Sequence, residues 1–134
     1  MLKRLYIKNF ALIDEIDVSF NDGFTSITGE TGAGKSIILG ALSLVLGDRA
    51  ELSSIREGQQ KCIIEAEFML PDSFDKSFFT KNELDFEKVS FLRREILSSG
   101  KSRAFINDTP VNLKQMRDLA SSLIDIHSQN ENIS

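Results

Sequence analysis

Eight consecutive residues carry the strongest chemical signal in the chain: Gly29-Glu30-Thr31-Gly32-Ala33-Gly34-Lys35-Ser36. They match the pattern G-x-x-x-x-G-K-[ST] at every fixed position, the spacing of a phosphate-binding loop. Small residues let backbone N–H groups wrap an anion, and a helix that starts inside such a loop adds its unpaired donors and positive dipole end. In this pattern Lys35 is the mobile positive charge for the β- and γ-phosphates of a nucleotide. The Ser36 hydroxyl is a ligand for a Mg²⁺ that bridges them. The cradle is taken to run from Gly29 through Ile37. The competing reading, a glycine-rich turn with a surface lysine, loses weight because the motif stands between an expected strand and an expected helix.

Those elements follow from periodicity. Leu5 and Ile7 alternate with Arg4, Tyr6 and Lys8, and Ile16, Val18 and Phe20 alternate with Glu15, Asp17 and Ser19, which predicts an opening β-hairpin. After the turn Asn21-Asp22-Gly23, Phe24–Thr28 is expected as a third strand running into the loop. Residues Lys35–Leu46 are apolar nearly all round, the pattern of a buried helix, and Gly47 is its expected C-terminal stop. The stretch 48–60 reads as a surface loop, and its Arg49 and Arg56 could approach a nucleotide or DNA. Cys62, Ile64, Ala66, Phe68 and Leu70 alternate as a strand ended by Pro71-Asp72. Residues 72–87 suggest no more than a short helix.

A second hairpin is expected from Val89–Leu97 and Ser102–Ile106 around Ser98-Ser99-Gly100-Lys101. Asn107-Asp108-Thr109-Pro110 reads as a turn. Asn112 with Gln115 three residues on has the form of a capping box, followed by Leu113, Met116, Ala120 and Leu123 at helical spacing. The end of the chain is expected to be a short strand, Leu123–Ile126, and a polar tail.

Composition bounds the function. At 134 residues, the chain has the length of one domain, and 41% hydrophobic with 27% charged residues can build a core. A net charge of −4 disfavours a general polyanion binder, so contact with nucleic acid would need a local patch. Arg93, Arg94, Lys101 and Arg103 on the second hairpin are that candidate; their alternative is a solvated face balanced by Glu87 and Glu95. The single cysteine, Cys62, allows no internal disulfide and suits a reducing cytoplasm as a small core residue. With one histidine, a zinc site of protein ligands is not expected. The N-terminus lacks the apolar stretch of a secretion signal, and the most apolar run, Ile37–Leu46, falls well short of the roughly 20 residues that span a bilayer.

Binding a nucleotide is not hydrolysing it, which also needs a positioned water and a further acidic group. Asp14-Glu15 follows an apolar stretch but precedes the loop and fits the solvated face of a strand. Asp125, after Ser122-Leu123-Ile124, lies downstream of the loop; it either faces a metal or caps a turn. A kinase or GTPase uses the same loop, yet the GTPase segment Asn-Lys-x-Asp is missing, Lys81-Asn82-Glu83 being in the wrong order. A non-catalytic interaction module is the remaining class.

Taken together, the lead-in Leu5–Asp14, the loop Gly29–Ser36, Gly47-Asp48-Arg49-Ala50 and the ending Asp125-Ile126-His127-Ser128-Gln129 resemble the N-terminal part of the RecN family. These are bacterial DNA-repair ATPases in the SMC-like branch of ABC-type ATPases, and the resemblance covers essentially the whole chain. It implies an α/β fold of the P-loop NTPase type with an antiparallel β portion, and residues 1–134 as the N-terminal half of an ATPase head. In the family, the head is completed by a C-terminal lobe across a long antiparallel coiled coil, and two heads dimerise around two ATP molecules. The implied cofactors are ATP and Mg²⁺. DNA is the implied further partner, and the implied location is cytoplasmic, at the nucleoid.

Gln129 falls on the family's Q-loop glutamine, whose amide both donates and accepts hydrogen bonds and so senses the metal and the attacking water. His127 and Asn130 are the other polar groups expected near the metal. Ser128 departs from the family's usual Gly. A Leu-Ser-Gly-Gly signature, an apolar strand ending in Asp-Glu and a switch histidine are all missing. The resemblance therefore implies ATP binding by this chain without efficient turnover.

Overall fold

The computed structural model describes residues 1–20 and 32–133, with side chains placed for all of these except 32, 33 and 124–133. Six strands form one antiparallel sheet: β1 (Leu2–Phe10), β2 (Ile13–Ser19), β3 (Lys61–Met69), β4 (Val89–Leu97), β5 (Ser102–Ile106) and β6 (Thr109–Val111). Their order across the sheet is β2-β1-β3-β4-β5-β6. Three α-helices accompany them: α1 (Gly32–Val45), the short α2 (Ser77–Lys81) and α3 (Leu113–Ile133).

Period-two alternation sorts the strand residues between two faces. On the inner face Leu5 aligns with Ala66, which aligns with Leu92, which aligns with Ile106. One row along, Ile7, Ile64, Arg94, Ala104 and Val111 are in register. Against this face pack Ile38, Ala41, Leu42, Leu44 and Val45 of α1 with Met116, Leu119 and Leu123 of α3, all buried in one core with Cys62 and Phe68. Burial raises the Cys62 thiol to a pKa of about 11, so it stays protonated and inert at neutral pH.

The first hairpin, α1, β3 and the second hairpin stand where the sequence placed them. Gly100, at φ +98°, turns the second hairpin. The capping box is fully made: the Gln115 N–H donates to Asn112 Oδ1 at 2.8 Å and the Asn112 N–H donates to Gln115 Oε1 at 2.9 Å. The expected strand Phe24–Thr28 lies outside the described residues.

Two expectations need correction. The turn after β5 consists of Asn107 and Asp108 alone, both at positive φ, and Thr109-Pro110 belongs to β6. Pro110 sits opposite Phe105 on the outermost strand of the sheet, where proline's missing N–H costs least. The 48–60 segment is the expected surface loop, with a short 3₁₀ turn at Leu52–Ser54, and is tied to the end of β1, the Ala11 N–H donating to the Ser54 carbonyl and the Arg56 N–H to the Asn9 carbonyl. Finally, 123–126 is not a strand. Helix α3 continues through it to Ile133, because no Gly or Pro interrupts 113–133 and the buried 116-119-120-123 spacing has already committed the segment to a helix.

Candidate functional site

The phosphate-loop motif enters α1. Gly32 and Ala33 are its first helical residues, Gly34 and Lys35 are half-buried, Ser36 is exposed and Ile37 packs against the edge of the core. Gly29, Glu30 and Thr31 lie outside the described residues. The first turn of α1 contains no acidic side chain, so no carboxylate of that turn opposes an incoming anion at the positive end of the helix dipole. Lys35 and Ser36 are thus a cation and a hydroxyl presented at a helix N-terminus, a donor set suited to a phosphate and its divalent ion.

The opposite end of α1 is tightly built. Gly47, at φ +109°, ends the helix: its N–H donates to the Leu44 carbonyl at 3.1 Å and the Asp48 N–H reaches back to the Ser43 carbonyl, also at 3.1 Å, the paired closure of a Schellman motif. A Cβ added at Gly47 would lie 2.5 Å from Arg117 Cγ of α3. From the sheet side, Arg94 Nη1 donates to the Leu44 carbonyl at 2.7 Å and to the Asp48 carbonyl at 2.8 Å, while Nε and Nη2 donate to Ser102 Oγ at 3.1 and 2.7 Å. Arg94 is completely buried, and that burial lowers its pKa.

Arg94 was grouped by sequence with the basic patch of the second hairpin; the structure divides that patch between two faces. Arg93 is on the outer face, 3.0 Å from Asp108 and 3.5 Å from Glu65, with its guanidinium 4.4 Å from the centre of the Phe105 ring. Its Nε lies 3.4 Å from Glu95 without hydrogen-bond alignment. Arg103 also pairs with Glu95, at 3.7 Å. The balancing acids are Glu65, Glu95 and Asp108; the Glu87 carbonyl instead accepts from Ser90 Oγ. Asp14 and Glu15 are both exposed, on opposite faces of β2, Asp14 pairing with Arg56 at 3.1 Å and Glu15 accepting from Tyr6 OH.

Asp125, His127, Gln129 and Asn130 all lie on α3, in the stretch whose side chains are outside the description. The backbone there is helical, so Asp125 neither follows a strand nor caps a turn. Among the described residues no cluster of His, Cys, Asp and Glu could hold a metal ion, and no helix is long and apolar enough to cross a membrane.

Comparison with known proteins accounts for this arrangement. The sequence profile of the family described as AAA domain matches residues 4–134. The chain belongs to that family. Membership implies a nucleotide-binding domain, in keeping with the loop that opens α1. The chain is 45% identical over 130 residues to the DNA repair protein RecN of Vibrio cholerae, covering 96% of this chain and 24% of that protein. To the DNA repair protein RecN of Bacillus subtilis it is 40% identical over 134 residues, covering 98% and 23%. It therefore spans about a quarter of the length of the curated relatives it matches.

Among solved structures, one described as "Structural biochemistry of ATP-driven dimerization and DNA stimulated activation of SMC ATPases" superposes with a TM-score of 0.72 at 21% identity, covering 92% of this chain and 79% of that one. The SMC head domain from Thermotoga maritima superposes at 0.60 with 23% identity, covering 87% and 41%. The fold is that of the P-loop NTPase heads of SMC type. The antiparallel sheet, α1 and their order are the parts of it described above.

Proposed function

We propose that this chain is the ATP-binding lobe of an ATPase head that acts in DNA double-strand-break repair and recombination. The observation that carries the reading is the intact motif Gly29–Ser36 leading into α1, with Lys35 and Ser36 in its opening turns. The likeness to RecN proteins over nearly the whole chain supplies the repair context. Backbone donors from Gly29 to Ser36 and Ile37 cradle the phosphates, Lys35 neutralises the β- and γ-oxygens, and Ser36 holds Mg²⁺. When bound, that ion screens the charge that develops between the phosphates. Gln129 is assigned to the metal and the attacking water. It serves from the far part of α3.

The remaining pieces of the active head come from a C-terminal lobe and from a second head, with DNA as a partner of the assembly, in the cytoplasm at the nucleoid. Alone, the chain binds Mg-ATP and turns it over poorly, because its sequence carries no Leu-Ser-Gly-Gly signature, no apolar strand ending in Asp-Glu downstream of Gln129 and no switch histidine. Calorimetric titration of the folded chain with Mg-ATP, beside Lys35→Ala and Ser36→Ala, tests the reading. Saturable binding in the wild type, weakened at least about tenfold in Lys35→Ala with an unchanged circular dichroism spectrum, is expected. Equal affinity in all three proteins overturns the site.

A further inference from the structure

A buried cation at the C-terminal end of α1 has no acidic partner in an ion pair among the described residues. Among the described residues no carboxylate forms an ion pair with Arg94, and all of its hydrogen bonds go to neutral oxygens: two backbone carbonyls at the end of α1 and the Ser102 hydroxyl. The Asp48 carboxylate acts on it only through space. Its neighbours across the sheet are Ile64 and Ala104, and along the strand on the same face Leu92 and Ile96. An apolar side chain such as Met would occupy this place without the desolvation that a guanidinium suffers. What Arg94 provides and Met does not is direction. Its planar fork ties Leu44 and Asp48 on the helix side to Ser102 on β5, fixing the helix end in three dimensions.

The countercharge is the helix itself, whose C-terminal carbonyls carry the negative end of the macrodipole. The same helix, about 20 Å long from its 14 residues, bears Lys35 and Ser36 at its other end. Being stiff along its axis, it delivers a shift or rotation at Leu44 to those two side chains. Arg117 presses on Gly47 from the α3 side, its Nη1 donating to the Gly47 carbonyl at 3.4 Å. The end of α1 is therefore seated between β4 and α3.

We propose that Arg94 is a positioning residue for the nucleotide site: by seating the C-terminal end of α1 on the sheet, it sets where Lys35 and Ser36 stand. The inference rests on the reading of Lys35 and Ser36 as phosphate and metal groups. It is tested on the intact chain by hydrogen exchange without nucleotide, comparing the wild type with Arg94→Met, Arg94→Lys and Val45→Ala, the last a core variant of the same helix with lowered melting temperature.

Backbone amides of residues 36–40 should exchange about ten times faster in Arg94→Met, but less than about threefold faster in Val45→Ala, with Arg94→Lys between them. Equal acceleration in Arg94→Met and Val45→Ala, or none in Arg94→Met, overturns the proposal. If Arg94→Met does not fold, Arg94→Lys must exceed Val45→Ala, and failure to do so overturns it as well. Mg-ATP affinity should fall about tenfold in Arg94→Met and less than about threefold in Val45→Ala; matched affinities also overturn it. Absence of any Mg-ATP binding by the wild type sinks the nucleotide reading instead, and the nucleotide-free exchange comparison still decides whether Arg94 seats the helix.

Discussion

Arg93 and Arg94 are adjacent in β4 and belong to two different proteins, physically speaking. Arg93 stands on the outer face among Glu65, Glu95, Asp108 and the ring of Phe105, about a quarter exposed, one cation in a ladder of exchangeable partners. Arg94 stands on the inner face with no exposure and no carboxylate, bonded only to neutral oxygens that themselves end a helix. Outer-face charges are solvated and screened, so each contributes little and the set tolerates loss of a member. On the inner face the guanidinium is held by fixed partners, and removing it leaves the Asp48 carbonyl without its donor and opens a void. The difference teaches that side-chain parity in a strand, more than charge, decides what an arginine does.

The sharpest way to break this comparison is truncation. Arg94→Ala should lower stability by about 3 kcal/mol, from the lost packing and the Asp48 carbonyl left without its donor, read as a shift of the urea midpoint at unchanged slope. A loss below about 0.5 kcal/mol, the ordinary surface range, would place Arg94 with Arg93. Next comes Gly47→Ala, which forces a Cβ onto a left-handed backbone and within 2.5 Å of Arg117 Cγ. It should cost about 1–3 kcal/mol. The double variant Gly47→Ala with Arg94→Ala should fall short of additivity, since both act on the same helix end. Arg93→Ala should cost no more than about 1 kcal/mol, and a high-salt measurement should shrink the cost further; a salt-independent loss as large as that of Arg94→Ala would erase the distinction between the faces.

Parity was available in the sequence. Arg94 shares it with Leu92 and Ile96, and this signal separates Arg94 from Arg93 and Arg103, whereas their charge groups them. What parity could not supply is the partner: the carbonyls of Leu44 and Asp48 are 50 and 46 residues away in sequence, and no local pattern encodes that meeting. The strands β1 to β5, α1 with its Gly47 stop and the Asn112–Gln115 box were legible because each rests on neighbours within one turn or one hairpin. Strand β6 was hidden by Pro110, whose turn preference is overridden at a sheet edge.

The end of α3 was misread for a related reason. Leu123-Ile124-Asp125-Ile126 is a short apolar run, which periodicity alone cannot assign to strand or helix, and the capping box ten residues earlier carried the deciding information. The phosphate loop was legible as chemistry from residue types alone. Gln129 came from the family resemblance alone, and its side chain lies outside those described.

On the outer face the pairing of Tyr6 with Glu15 offers the mildest test. Tyr6 OH donates to Glu15 Oε2 at 2.5 Å across the β1–β2 pair, and that hydrogen bond, ahead of desolvation and the charge of Glu15, raises the phenol from 10.0 to about 12. Because the folded value is raised, the bond's contribution to stability is complete below pH 10 and is lost as pH climbs towards 12. An ultraviolet titration of the single tyrosine should show its midpoint near 12 in the wild type and closer to 10 in Glu15→Gln, with the neutral-pH melting temperature almost unchanged. A midpoint that stays high in Glu15→Gln would mean that burial, not the carboxylate, holds the proton. The outer face would then share the inner face's physics at Tyr6, and the contrast drawn from the two arginines would not extend along the sheet.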